Sequence, residues 1–210
     1  MLTSGRYRSR FCNSQFLIAT IAIANRYPEP VERNPQVAGS YIEFSNDHTP
    51  IGYLITFRGY GTWLHGDSRG SVDRFHKAYG TPMLPPNLKR THYEQRLLKQ
   101  PPVTLSARQR AAVESGIRET CTFRMWTLWA FNIRTNHVHS VVSADSKPEL
   151  ILSALKANAT RSMREAGCWP SKHSPWVYRG SKRHLWTERQ LLDAIAYVLY
   201  DQGEPLAERD

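Results

Sequence analysis

Apolar positions in this chain switch between two periods, and the switches outline the fold. Tyr53-Leu-Ile-Thr-Phe57 is a short run of β-formers and predicts a strand. From Gly59 to Pro102 the pattern dissolves into Gly, Pro, Asp and basic residues, which reads as a loop-rich insertion with a short helix around Tyr93 to Leu98. Ser106-Ala-Arg-Gln109 has the form of a capping box, and Ala112, Val113, Gly116, Ile117 and Cys121 then recur at helical spacing. Two strands follow, Trp126 to Ile133 and Val138 to Val142. A helix from about Pro148 to Ala166 puts Ile151, Ala154, Leu155, Ala159 and Met163 on its apolar stripe and leaves Lys156, Arg161 and Arg164 off it. Thr187-Glu-Arg-Gln190 is a second capping box. It opens a last helix through Leu191, Leu192, Ile195, Val198 and Leu199 that ends before Gly203.

The order strand, helix, strand, strand, helix, helix predicts an α+β fold. It fits a ferredoxin-like split βαβ unit with an antiparallel sheet, no clear fourth strand, and a C-terminal helix that carries tyrosines. One sheet face would take helices and the other would stay free for a ligand or a second subunit. Residues 1–45 read as an extension with little fold signal, and 46–210 as the folded domain, with the insertion at about 59–102.

Charge changes the picture next. The net charge is +10 and the sequence pI is about 9.8, which favours polyanionic partners, nucleic acid before anionic membrane. Six Trp and ten Tyr among the basic residues favour nucleic acid further, because bases stack on aromatic rings. Cys12, Cys121 and Cys168 are far apart and show neither zinc spacing nor a disulfide framework, so a reducing, cytoplasmic setting is expected. No run reaches the ~20 apolar residues of a membrane span. Phe16 to Ala24 follows Arg6, Arg8 and Arg10 but leads into Asn25-Arg26-Tyr27-Pro28 rather than a small-residue cleavage site, so no export signal is expected.

The chemistry lies in His137-Val138-His139. On a strand, residues i and i+2 share a face, so two imidazoles project together and can ligate a divalent cation. On the last helix Tyr197 and Asp201 are four apart and share a face, off the apolar stripe. One reading is an amphipathic tyrosine at a helix margin. The other is a phenol nucleophile, with Asp201 as third ligand to a metal held by His137 and His139. Tyr200 competes, but its residue four further on, Glu204, lies past Gly203.

Asn136-His-Val-His139 on a strand, a basic helix after it, and Tyr197-Val-Leu-Tyr-Asp201 on the closing helix together resemble the single-tyrosine HUH transposases, most of all those associated with repeated extragenic palindromes. The resemblance covers about residues 50 to 205. It implies metal-dependent cleavage and rejoining of single-stranded or hairpin DNA through a 5′-phosphotyrosine on Tyr197. It further implies Mg²⁺ or Mn²⁺ held by His137, His139 and Asp201, a homodimer, and a nucleoid-associated location. That family often carries Asn or Gln where Asp201 stands. DNA contacts are expected from Arg179, Lys182 and Arg183 and from Lys156 and Arg161, through phosphates. Two alternatives stay open: a DNA-binding protein that no longer cleaves, and a metal-dependent nuclease that uses water. Trp63, Trp169, Trp176 and Trp186 stand between base stacking and core packing. His65, Asp67 and His76 read as loop residues, and His173 and His184 as parts of the basic segment.

Overall fold

The sheet is built around a strand that is covered on both sides. In a computed structural model of the chain, which describes residues 49–71, 81–203 and 206, β1 (Gly52–Arg58) sends Tyr53, Ile55 and Phe57 to one face and Leu54 to the other. The described residues fall within the unit His48–Asp210. The extension read at residues 1–45, with its apolar run, lies outside them, as does His76.

After β1 come α1 (Leu88–Arg96), α2 (Ala107–Phe123), β2 (Thr127–Ile133), β3 (His137–Ser143), α3 (Pro148–Glu165), β4 (Ser181–Leu185) and α4 (Glu188–Tyr200). The four strands pair antiparallel in the order β2-β3-β1-β4, so the fold is α+β. The fourth strand, absent from the apolar pattern, is the segment read as purely basic. Its sequence is Ser-Lys-Arg-His-Leu, and only Leu185 is buried. Backbone pairing with β1 makes it a strand, and edge strands tolerate, even favour, charged side chains.

Helices α2 and α3 pack on one face around Val113, Ile117, Ile151, Leu155 and Met163. They approach closely at Gly116, where a Cβ would lie 2.7 Å from the carbonyl oxygen of Asn158. The Ser106–Gln109 capping box forms as predicted. At α4 only half of the second box forms: Thr187 caps Gln190, but the Gln190 side chain accepts from the Trp186 amide instead.

The expectation of a free second face is corrected here. Helix α4 lies across that face and buries Leu191, Ala194 and Val198 against Leu54, Ala130, Val141 and Leu185. Leaving so many apolar side chains in water costs about 25 cal/mol per Å², so the face is covered where it is apolar. The buried stripe is rotated from the predicted one: Leu192 and Leu199 are exposed, and Ala194 takes the inner position. The β2–β3 hairpin is pinned at its tip, where the Leu105 amide bonds to Thr135 and the Gly59 amide to Asn136.

Gly116→Ala is expected to destabilise the fold by about 1–3 kcal/mol, because the new methyl meets backbone rather than a side chain that can move. Denaturant unfolding checks this, and an unchanged midpoint would mean that α2 and α3 can part at no cost.

Candidate functional site

Val138 is fully buried on the α2–α3 side, so His137 and His139 both project onto the face crossed by α4. Their ring centroids are 4.8 Å apart at 77°. Each ring is held through Nδ1. His139 Nδ1 lies 2.7 Å from the hydroxyl of Thr56, its register partner on β1, and His137 Nδ1 lies 2.6 Å from Asn136 Oδ1. Such outer partners fix ring orientation and leave Nε2 free to bind.

Both imidazoles are held neutral. Burial lowers the pKa of His139 to about 4, helped by His137 and Arg58. Burial also lowers that of His137, with Arg134, Arg58 and Arg69 adding in the same sense against an opposing contact from Gln202. Neutral imidazole is the form that ligates a cation.

The closing helix brings the phenol to this pair. Tyr197 meets His139 edge-on, with ring centroids 5.5 Å apart, and keeps 40% of its surface exposed. The helix end is tied to the sheet by Asn132, the register partner of His139, whose amide donates to the Val198 carbonyl at 3.0 Å. Tyr200 is more exposed, at 61%, and no ring contact joins it to the pair.

Asp201 does not join the histidines, which corrects the sequence expectation. Among the described residues no group of three His, Cys, Asp or Glu side chains could hold a metal ion. The last helical residue is Tyr200, and Asp201 is the C-cap: its amide still bonds to the Tyr197 carbonyl at 3.2 Å, while its side chain stands in solvent. The chain turns back one residue later. Gln202 places Oε1 3.5 Å from His137 Nε2 while its Nε2 donates to the Tyr197 carbonyl at 3.0 Å. Gly203, at φ +78°, turns the chain away beside Arg134.

The atoms around His137 Nε2 are acceptors. Asn136 Oδ1 can only accept, so His137 donates through Nδ1 and its Nε2 carries a lone pair. Gln202 Oε1 carries lone pairs as well, and its own N–H is used on the Tyr197 carbonyl. Two acceptors thus face each other, and a proton between them is disfavoured by burial. Two imidazole nitrogens and an amide oxygen are a set that suits a divalent ion.

The basic residues divide. Lys156, named as a DNA contact, donates to the carbonyls of Val177, Tyr178 and Arg179 at 2.6, 3.2 and 3.1 Å. Arg161 pairs with Glu119 and Glu165, and Lys182 with Glu149. All three are therefore occupied within the fold. Arg179 and Arg183 are exposed and make no ion pair among the described residues. Trp176 is buried against Phe57, so packing is its role. Trp169 bonds to the His173 carbonyl and Trp186 stacks on His184. Asp67 is held by Arg69, which pulls its carboxyl down to about 2.

Thr56, Arg58, Asn132 and Gln202 were not singled out from the sequence. For Thr56 and Arg58 the signal was available: β1 continues the period of two that puts them on the face opposite Phe57. Asn132 and Gln202 carried none.

No family model matches the chain, and no curated protein matches it. Among solved structures it is similar to a REP-associated tyrosine transposase bound to a REP hairpin, at 12% identity over 76% of this chain and 70% of that one, with a TM-score of 0.38. That likeness is too slight to assign the family.

The histidine pair gives a pH signature. Its folded pKa values lie below the ordinary 6.5, so the unfolded chain binds more protons as pH falls from about 6.5 toward 4. Stability is complete above that window and is lost within it. His139→Gln should flatten this loss between pH 7 and 4.5 in denaturant unfolding; an unchanged slope would contradict the buried neutral state.

Proposed function

We propose that this protein cleaves and rejoins single-stranded DNA by attack of Tyr197 on a backbone phosphate, with a divalent metal. The observation that carries the reading is the edge-on approach of the Tyr197 phenol to His139, above two neutral imidazoles and the Gln202 oxygen. In this reading the β-α-β-β-α-β order is a ferredoxin-like split βαβ unit whose closing helix delivers the nucleophile.

His137, His139 and Gln202 would hold Mg²⁺ or Mn²⁺, with Gln202 in the place expected for Asp201. When bound, such an ion withdraws charge from the phosphate oxygens. The chain's own groups do the rest. Thr56 and Asn136 fix the rings, Asn132 fixes the helix end, and the partly exposed Tyr197 can meet a strand laid over this face. Tyr197 Oη bonds to phosphorus as the bond from phosphorus to the 3′ oxygen breaks. The phenolic proton leaves, and the departing oxygen takes up a proton to become a 3′-hydroxyl. The product is a 5′-phosphotyrosine, which a second 3′-hydroxyl reverses. Single-stranded or hairpin DNA and a second copy of the chain are the partners, and the basic charge holds the strand through its phosphates.

Labelled hairpin or single-stranded DNA with Mn²⁺, resolved on a denaturing gel, tests the reading. Tyr197→Phe should reduce the covalent adduct below detection, on the scale of losing a nucleophile, while Tyr200→Phe retains it. Free fragments without an adduct would establish water as the attacking group, and a mobility shift alone would leave binding only.

Calorimetry with Mn²⁺ separates the two candidate oxygen ligands. Gln202→Ala should weaken binding by roughly tenfold or more, the scale of disturbing one metal-site partner, and Asp201→Ala should leave it nearly unchanged. The reverse result would return the third ligand to Asp201.

A further inference from the structure

Arg58 ends β1 on the face that carries the site. It lies opposite His137 in the register, as Thr56 lies opposite His139. Its guanidinium sits over the Trp63 ring, 4.0 Å from the centroid, and Trp63 is itself fixed by its indole N–H, donated to the Gly70 carbonyl at 2.7 Å. A second guanidinium, that of Arg69, stands 4.6 Å from the same ring.

The two arginines differ in one respect. Arg69 makes two 2.7 Å bonds to the Asp67 carboxylate and is satisfied there. Arg58 is half-buried, yet among the described residues no carboxylate, carbonyl or hydroxyl accepts from it. A desolvated guanidinium with five donors and no acceptor is unfavourable in a folded protein, and buried charges are ordinarily paired. Burial and the nearby Arg69 both act against its charge, but arginine stays protonated all the same. Its neighbours toward the site are neutral imidazoles, so among the described residues nothing balances it. An anion would satisfy it, and Arg58 lies on the sheet face that carries Tyr197 and the histidines.

We propose that Arg58, oriented by Trp63, is the clamp that grips the non-bridging oxygens of the DNA phosphodiester presented to Tyr197. This rests on the strand-cleaving reading above. One planar fork of N–H donors matches the two oxygens of a monoanionic diester, and a point charge does not. Trp63 keeps the fork flat and aimed, so no ordering is required when the strand arrives.

The test uses the full-length protein and the variants Arg58→Lys and Arg58→Met. Adduct formation on labelled single-stranded DNA should fall about 10²–10³-fold in Arg58→Met, the scale of losing one donor to transition-state charge. The lysine variant should recover only part of that loss. A binding arm without cleavage uses a short single-stranded oligonucleotide. There the slope of log affinity against log salt should decrease by about one in Arg58→Met, as for one lost phosphate contact. A methylphosphonate at the reacting position should weaken binding to the natural protein but not to Arg58→Met. The melting temperature of Arg58→Met should be unchanged or higher, because an unpaired desolvated charge is removed.

A natural protein that forms no adduct, with the salt slope still lost in Arg58→Met, would overturn strand cleavage and keep the clamp. Adduct formation and salt slope both unchanged in Arg58→Met would overturn the clamp and leave strand cleavage standing. A lowered melting temperature in both variants, with the salt slope intact, would also overturn it, since Arg58 would then act only in packing on Trp63.

Discussion

Burial of Leu191, Ala194 and Val198 against the sheet decides where the phenol of Tyr197 can stand. The neighbouring helix position is set by that seal, and the Asn132 bond to the Val198 carbonyl fixes the end of the helix beside His139. Remove the seal and the histidines would remain a pair on a strand with no phenol near them. The tie is inexpensive in chemical terms: one apolar cluster and one amide hydrogen bond, worth about 1 kcal/mol by itself. Its consequence is large, because it sets the distance of the Tyr197 ring from His139.

The electrostatics follow from the same covering. Helix α4 and the β1 end exclude water from the imidazoles, and exclusion of water keeps them neutral. Arg58, Arg69 and Arg134 act in the same sense on His137.

Formal charge proved a poor guide to which basic residues are free. Lys156 closes a turn by capping three carbonyls, and Arg161 bridges α2 to α3 through Glu119. Exposed ion pairs of this kind contribute about 0–1 kcal/mol each, yet they fix where a side chain points. Pairing leaves the net charge at +10 but decides which side chains can turn to a partner, and Arg179 and Arg183 are exposed with no ion pair among the described residues.

The sequence by itself determined the elements with an apolar period and the shared face of the histidine pair. Period two along β1 and β3 and period 3.6 along α2 and α3 depend only on local backbone geometry, which puts His137 and His139 on one side before any packing is known. The Ser106 cap is equally local. Tertiary structure decided the rest. The β4 strand exists through pairing with β1 and carries no apolar signal, and the inner face of α4 is chosen by what it covers. The approach of Gln202 to His137 depends on where α4 stops, and the pairing of Arg58 with Trp63 depends on the course of the loop after β1. Such contacts join residues far apart in the chain, and a periodicity of two or four residues cannot encode them.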